Sequence, residues 1–182
     1  MSHTGKLLIA PPSVKGNFWS KTVIFVTEDH DRGSIGLVLN KPSKMSISEF
    51  SAQHNIESYM DRYIYIGGPV SVNALTMLHS SDWECSNTMH ISQDFYLSSS
   101  PDLLQRLADG DTPNKWRLFA GLCAWAPNQL ESEYKGVNGY SHACSWLVAS
   151  SNYQNVFNED PKEQWTSAIE QSGFEFAQKI LV

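Results

Sequence analysis

Three short runs of apolar and β-branched residues crowd into the first forty positions, each closed by turn residues. Lys6–Ala10 and Thr22–Thr27 read as strands, and Ser34–Asn40 alternates Ile35, Leu37 and Leu39 onto one face, the pattern of a half-buried strand. The polar stretch Glu28–Gly33 between the last two is a hairpin connection. Further strands are expected at Tyr63–Ile66, Leu75–His79, Phe95–Ser98, Lys115–Leu122 and Trp146–Ala149. Helices fall irregularly among them. Ser46 and Glu49 have capping-box spacing and open a short helix to about His54. Ser100 as N-cap, Pro101 at the first helical position and Gly110 past the end bracket a second helix carrying Leu103, Leu104 and Leu107. Asp160-Pro161 opens a third, with Trp165, Ala168 and Ile169 as its stripe and Gly173 as its stop. Strands in runs with scattered helices argue α+β rather than a regular βαβ array.

The length of 182 residues suits one domain, residues 1–182, which needs neither disulfide nor structural metal to fold. Lys and Arg number 13 against 19 Asp and Glu, a formal net charge of −6, the opposite of the footprint that draws a protein onto phosphate backbones. Direct nucleic-acid binding is therefore disfavoured. The charge is uneven: residues 1–50 hold six basic and four acidic side chains, so a basic patch there stays open as a reading. The three cysteines, Cys85, Cys123 and Cys144, are odd in number and form no CxxC, which suits a reducing compartment. Leu7–Ala10 is too short for an export signal, and no apolar stretch reaches bilayer-spanning length. The cytoplasm is the expected location, with no membrane association.

The chemistry-bearing candidates each have a structural alternative. Gly67-Gly68 after a strand offers either an anion nest or a tight turn, and it satisfies neither nucleotide-binding glycine fingerprint. Asp29, His30 and Asp31 are metal-acceptable types, but consecutive ligands on a hairpin rarely converge on one ion, so a solvated turn is the stronger reading. His142 and Cys144, with Cys123 and His79 elsewhere, resemble a thiolate site or a Cys/His pair, against the plainer reading of an inert thiol and an ordinary histidine. No GxSxG elbow and no HExxH helix is present. The most unusual segment is Phe119–Glu131, where a strand feeds a turn bearing Trp125 and Pro127 is placed to start a short helix. Its polar residues Asn128, Gln129 and Glu131 are either ligand contacts or satisfiers of backbone groups.

Gly5–Pro12, Val23–Val26, Gly33–Pro42, Gly67-Gly68-Pro69-Val70, Leu78-His79 and Trp125–Glu131 together, in that order, resemble the YqgE/AlgH family of bacterial proteins over nearly the whole chain. The GLxxN-x-P, GGPV and W-x-P-x-Q-L-E elements carry the resemblance. It implies a single α+β domain with a mixed, strongly bent, partly barrel-like sheet flanked by helices. It also implies the designation of transcriptional regulator that the family carries through one member's association with alginate production in pseudomonads, with no established enzymatic activity. Family genes often neighbour one for a Holliday-junction-resolvase-like nuclease. No helix-turn-helix pattern accompanies that designation here. Ala124, Ala126 and Asn128 stand where the family usually has glycine, and the chain is several residues longer between Glu133 and Trp146, where Tyr134–Tyr140 reads as an extended surface loop.

The expected function is a non-enzymatic regulatory domain that binds a small ligand or a protein partner on a face built from Asn40, Gly67, Gly68, Pro69, Trp125, Gln129 and Glu131, without cofactor or metal. The alternative is a hydrolase or transferase using His79 or Glu131 as base. Control of transcription through the N-terminal third is the third reading.

Overall fold

The computed structural model describes residues 2–136 and 145–180. Its strands are β1 (Lys6–Ile9), β2 (Val23–His30), β3 (Gly33–Val38), β4 (Pro42–Ser46), β5 (Tyr63–Ile66), β6 (Val70–Ser80), β7 (Thr88–His90), β8 (Phe95–Ser98), β9 (Trp116–Trp125) and β10 (Leu147–Ser150). The helices are α1 (Ile47–Gln53), α2 (Leu103–Ala108), α3 (Gln129–Lys135), α4 (Tyr153–Val156) and α5 (Pro161–Ile180). The strands form one strongly curled, half-barrel sheet in the order β10-β1-β2-β3-β9-β6-β8-β7, with β4 and β5 attached beside β9. All pairings are antiparallel except β5 with β9, so the sheet is mixed. The α+β expectation with a bent, mixed sheet is met.

β9 is the organising strand. It pairs with β6 along Trp116–Ala120 and at Leu122, with β5 at Phe119 and Ala120, and with β3 at Cys123–Trp125. Strands this apolar bury both faces, and the two faces feed different clusters. Leu7, Ile9, Phe25, Leu37 and Phe119 pack beneath α4 and α5, whose Val156 and Ala168 close that cluster. Leu8, Ile24, Val26 and Val38 face Trp125, Leu130 and Trp146 on the other side. A third cluster joins Met77, Leu118 and Trp116 to α1 and α2.

Local signals placed several elements where they were expected. β5 and β8 have the expected bounds, and β2 and β3 form a hairpin closed by Asp31-Arg32, with a bulge between Val26 and Glu28. Both halves of the Ser46/Glu49 capping box are present: the serine hydroxyl accepts the Glu49 N–H and the Glu49 carboxylate accepts the Ser46 N–H. Other details differ. The N-cap of α2 is Asp102 rather than Ser100, and Pro101 sits in the turn before it. α3 starts at Gln129 behind Asn128, which is left-handed at φ 63°, so Pro127 precedes the helix instead of opening it. α5 runs through Gly173 to Ile180, because a glycine with helical neighbours on both sides weakens a helix by about 1 kcal/mol without stopping it. β4, β7 and α4, of three to five residues each, carry no sequence signal of their own.

Candidate functional site

The polar motif residues are mostly used up inside the fold. Asn40, buried at the end of β3, accepts the Val23 N–H at 3.0 Å through Oδ1, and its Nδ2 donates to the Lys21 and Pro161 carbonyls at 2.8 and 3.2 Å. It thus clamps the start of β2 to the first turn of α5. Gly67 donates its N–H to Ala120 O and accepts from Val38 N, so it bridges β9 and β3 rather than offering an open nest. A Cβ on Gly67 would lie 2.2 Å from Gly121 O, and one on Gly121, at φ 76°, would lie 2.6 Å from Gly68 O. Two chains cross here with only backbone between them. Pro69 follows this crossing on the exposed surface.

The Trp125 segment closes on a carboxyl group. Trp125 Nε1 and Trp146 Nε1 donate to Glu133 Oε2 at 3.0 and 2.9 Å, and Gln129 Nε2 donates to Glu133 Oε1 at 2.9 Å. Gln129 Oε1 in turn accepts the Ala126 N–H. The helical i, i+4 spacing of Gln129 and Glu133 puts both on the inward face of α3. Glu133, only 8% exposed, is therefore the centre of the cluster, and the sequence reading missed it by starting α3 at Pro127.

Glu131 points the other way, to the surface, and pairs with Lys135 at 2.6 Å; that hydrogen bond and charge hold its carboxyl below the usual value. It stands on the edge of a groove of about 190 Å³ between α3 and the β2–β3 hairpin. The opposite wall is His3, Asp29, Asp31 and Ser34. Asp29 accepts the His3 backbone N–H at 2.7 Å and the Ser34 hydroxyl at 2.6 Å, and its Oδ2 lies 3.1 Å from His3 Nδ1. Burial alone pushes the Asp29 carboxyl up, but the hydrogen bonds from Ser34 and His3 and the His3 charge outweigh it and hold the carboxyl low. The hairpin aspartates are thus not equivalent: Asp31 is a solvated turn residue and Asp29 is a fixed anion. His3 had no signal in the sequence, since only the run of the N-terminus beside β2, through Gly5 N–H to Val26 O, brings it there. The groove collects three carboxyl groups, Asp29, Asp31 and Glu131, with His3 and His30 among them. Lys135, paired with Glu131, and His3, against Asp29, offset part of that negative charge.

The remaining candidates lie apart. His79 is 0% exposed, with Nδ1 against Ser80 O and Nε2 against Ser98 Oγ, both at 2.8 Å, and burial pushes its pKa down despite the opposing Ser80 bond and the charges of Asp82 and Glu84. Cys123 is buried and its thiol is pushed up to about 12 by that burial. His142, Cys144 and residues 137–140 lie outside the described residues, while Tyr134 and Lys135, expected in an extended loop, instead complete α3 with Gly136 as its left-handed cap. Among the described residues no three His, Cys, Asp or Glu side chains converge as metal ligands, and no helix is long and apolar enough to cross a membrane.

The chain matches known proteins over nearly its whole length. A protein of Shewanella loihica named UPF0301 protein is 32% identical over 178 residues, covering 94% of this chain and 92% of that one. A UPF0301 protein of Mannheimia succiniciproducens is 29% identical, covering 99% and 97%. The solution structure of the AlgH protein from Pseudomonas aeruginosa superposes with a TM-score of 0.77 at 27% identity, covering 93% of this chain and 88% of that one. A crystal structure of a Corynebacterium diphtheriae protein shares the fold, with a TM-score of 0.70 at 20% identity, covering 90% and 83%. The family profile described as AlgH-like, DUF179, matches residues 7–177. With that profile spanning the sheet from β1 into α5, the chain belongs to the AlgH-like family.

Proposed function

We propose that the chain is a non-enzymatic regulatory domain that binds a cationic small ligand, or a basic side chain of a protein partner, in the groove between the β2–β3 hairpin and α3. The observation that carries this reading is the division of labour in the Trp125–Glu131 segment. Trp125 and Gln129 are bonded inward to Glu133 and hold α3 in place, while Glu131, paired with the exposed Lys135, stands on the groove edge opposite Asp29 and Asp31. In this reading Asn40, Gly67 and Gly68 build the scaffold on which the groove stands, and Trp125 and Gln129 orient its wall.

The same reading keeps regulation away from direct DNA contact, on the support of the net charge of −6. Three cysteines without CxxC spacing support a cytoplasmic setting, and the family match over residues 7–177 supports residues 1–182 as one domain. A catalytic reading has weaker support. His79 reaches no solvent and has both ring nitrogens engaged, and Glu131 is tied to Lys135.

The test is an NMR titration of the full chain with spermidine, arginine and short Lys/Arg peptides at low ionic strength. The amide signals of His3, Asp31 and Glu131 are expected to move saturably, and an Asp31→Asn, Glu131→Gln variant with unchanged melting temperature is expected to bind about tenfold more weakly. Signals that stay fixed with every probe, or a variant that binds like the parent, overturn the reading.

A further inference from the structure

A second concavity, of about 230 Å³, opens at the far end of β9 and is built around two arginines. Arg117, the second residue of β9, is 3% exposed and forms the floor. Its Nη1 donates to Leu39 O at 2.6 Å and Val156 O at 3.3 Å, its Nη2 donates to Asn158 O at 2.8 Å, and its Cζ sits 4.2 Å from the centre of the Tyr65 ring. A guanidinium has five N–H donors. Among the described residues the Arg117 Nε–H makes no hydrogen bond, yet it is not sealed from solvent, so it is open to a ligand in the pocket. Arg62 stands at the rim with its Cζ 4.1 Å from the centre of the Trp116 ring and its Nη2 donating to Trp116 O at 3.0 Å.

Neither guanidinium forms an ion pair among the described residues, although Asp61 and Glu159 also line the rim. Burial holds the Arg117 pKa down to about 10, and the charge of Arg62 pushes in the same direction although Tyr65 and Glu159 oppose it. Asp61 and Glu159 match the two arginines in number, but both carboxylates are exposed and pair with neither guanidinium, so the buried Arg117 has only carbonyl acceptors and an anion entering the pocket would be its first direct counter-ion. The two aromatic rings fix both guanidiniums in place, so little side-chain freedom is lost when a ligand arrives.

We propose that this pocket binds a small phosphate monoester, its dianionic phosphoryl group lying between Arg117 at the floor and Arg62 at the rim. Two cations match a phosphoryl charge near −2 better than a single carboxylate charge, and the fork of an arginine fits either group bidentately. The volume admits a phosphoryl group with a small organic body and is below the roughly 300–1,000 Å³ of sites for larger ligands. Asp61 and Glu159 at the rim repel any ligand whose negative charge extends outward. Polyphosphates and nucleic-acid backbones are thereby selected against. The groove at the other end of β9 plays no part in this, so the two readings stand or fall separately.

The experiment is a titration of the full chain with glycerol phosphate, inorganic phosphate, inorganic triphosphate and acetate at constant ionic strength set with chloride, following the Arg117 Nε–H and Trp116 indole N–H resonances. Glycerol phosphate and inorganic phosphate are expected to move both signals saturably, with acetate and triphosphate at least tenfold weaker. Arg62→Ala is expected to weaken phosphate binding about tenfold at unchanged melting temperature; Arg62→Gln, which keeps the aliphatic cover on Trp116, takes its place if the alanine variant unfolds. Absence of a saturable shift, equal binding of acetate or triphosphate, or a shift indifferent to the loss of Arg62 overturns the proposal.

Discussion

Trp125 and Glu133 meet through one hydrogen bond, indole Nε1 to carboxyl Oε2 at 3.0 Å, and the same oxygen also takes the indole of Trp146. One carboxyl group therefore ties the end of β9, the inner face of α3 and the residue just before β10 together.

Removing that acceptor leaves two buried indole donors and the half-buried Gln129 amide without that partner. Glu133→Ala is expected to cost about 3 kcal/mol, and Glu133→Gln, which keeps an acceptor oxygen in place, about 1 kcal/mol. Urea unfolding followed by tryptophan fluorescence checks both values, with the near-ultraviolet circular dichroism of the two tryptophans flattened in the alanine variant.

Glycines in this chain answer to opposite rules. Gly67→Ala drives a methyl group to 2.2 Å from Gly121 O, a backbone atom that cannot swing aside, and is expected to lose about 3 kcal/mol or fail to fold. Gly173→Ala, inside α5 with nothing within 4 Å of the new methyl group, is expected to gain about 0.5–1 kcal/mol. Thermal unfolding of the two variants beside the parent decides between them.

Stability is expected to depend on pH in two separate ranges. Burial lowers the pKa of His79 below its ordinary 6.5, so the unfolded chain binds more protons than the folded one just below that pH. Its contribution is complete above pH 6.5 and is lost as the pH falls further. Asp29, together with Asp82 and Asp111, whose carboxyls hydrogen bonds hold below their ordinary 3.8, adds a second loss only in more acidic solution. Melting temperatures measured from pH 8 to pH 3 should fall in these two stages, and His79→Gln should remove the first stage while lowering stability at every pH.

The parts of the fold legible in the sequence are those fixed by neighbouring residues. The Ser46/Glu49 cap, the alternation of β3 and the Tyr63–Ile66 run of β5 each carry their own cause within a few positions. β4 and α4 do not: β4 exists because β5 pairs with it, and α4 because Asn152 and Asn155 cap one turn against α5. The same holds for function. Asn40 was conspicuous as a polar residue in an apolar motif, but its Pro161 partner lies 121 positions away. Glu133 and His3 were silent because the direction of a side chain depends on where a helix starts and where a terminus is laid down. Arg117 was hidden for a related reason: within β9 it is one polar letter in an apolar strand, and only three carbonyl groups distant in sequence, one of them at the end of α4, make it a floor.

The pairing of β1 with β10 joins Lys6 to Ser150 and Ile9 to Leu147. During synthesis the first strand leaves the ribosome long before its outer neighbour has been made, so for most of translation β1 is a bare edge of buried-type residues, the kind of edge that recruits other chains. A nascent chain halted before residue 147 is thus expected to be a client for chaperones, and loss of only the last fifth of the protein would expose its beginning.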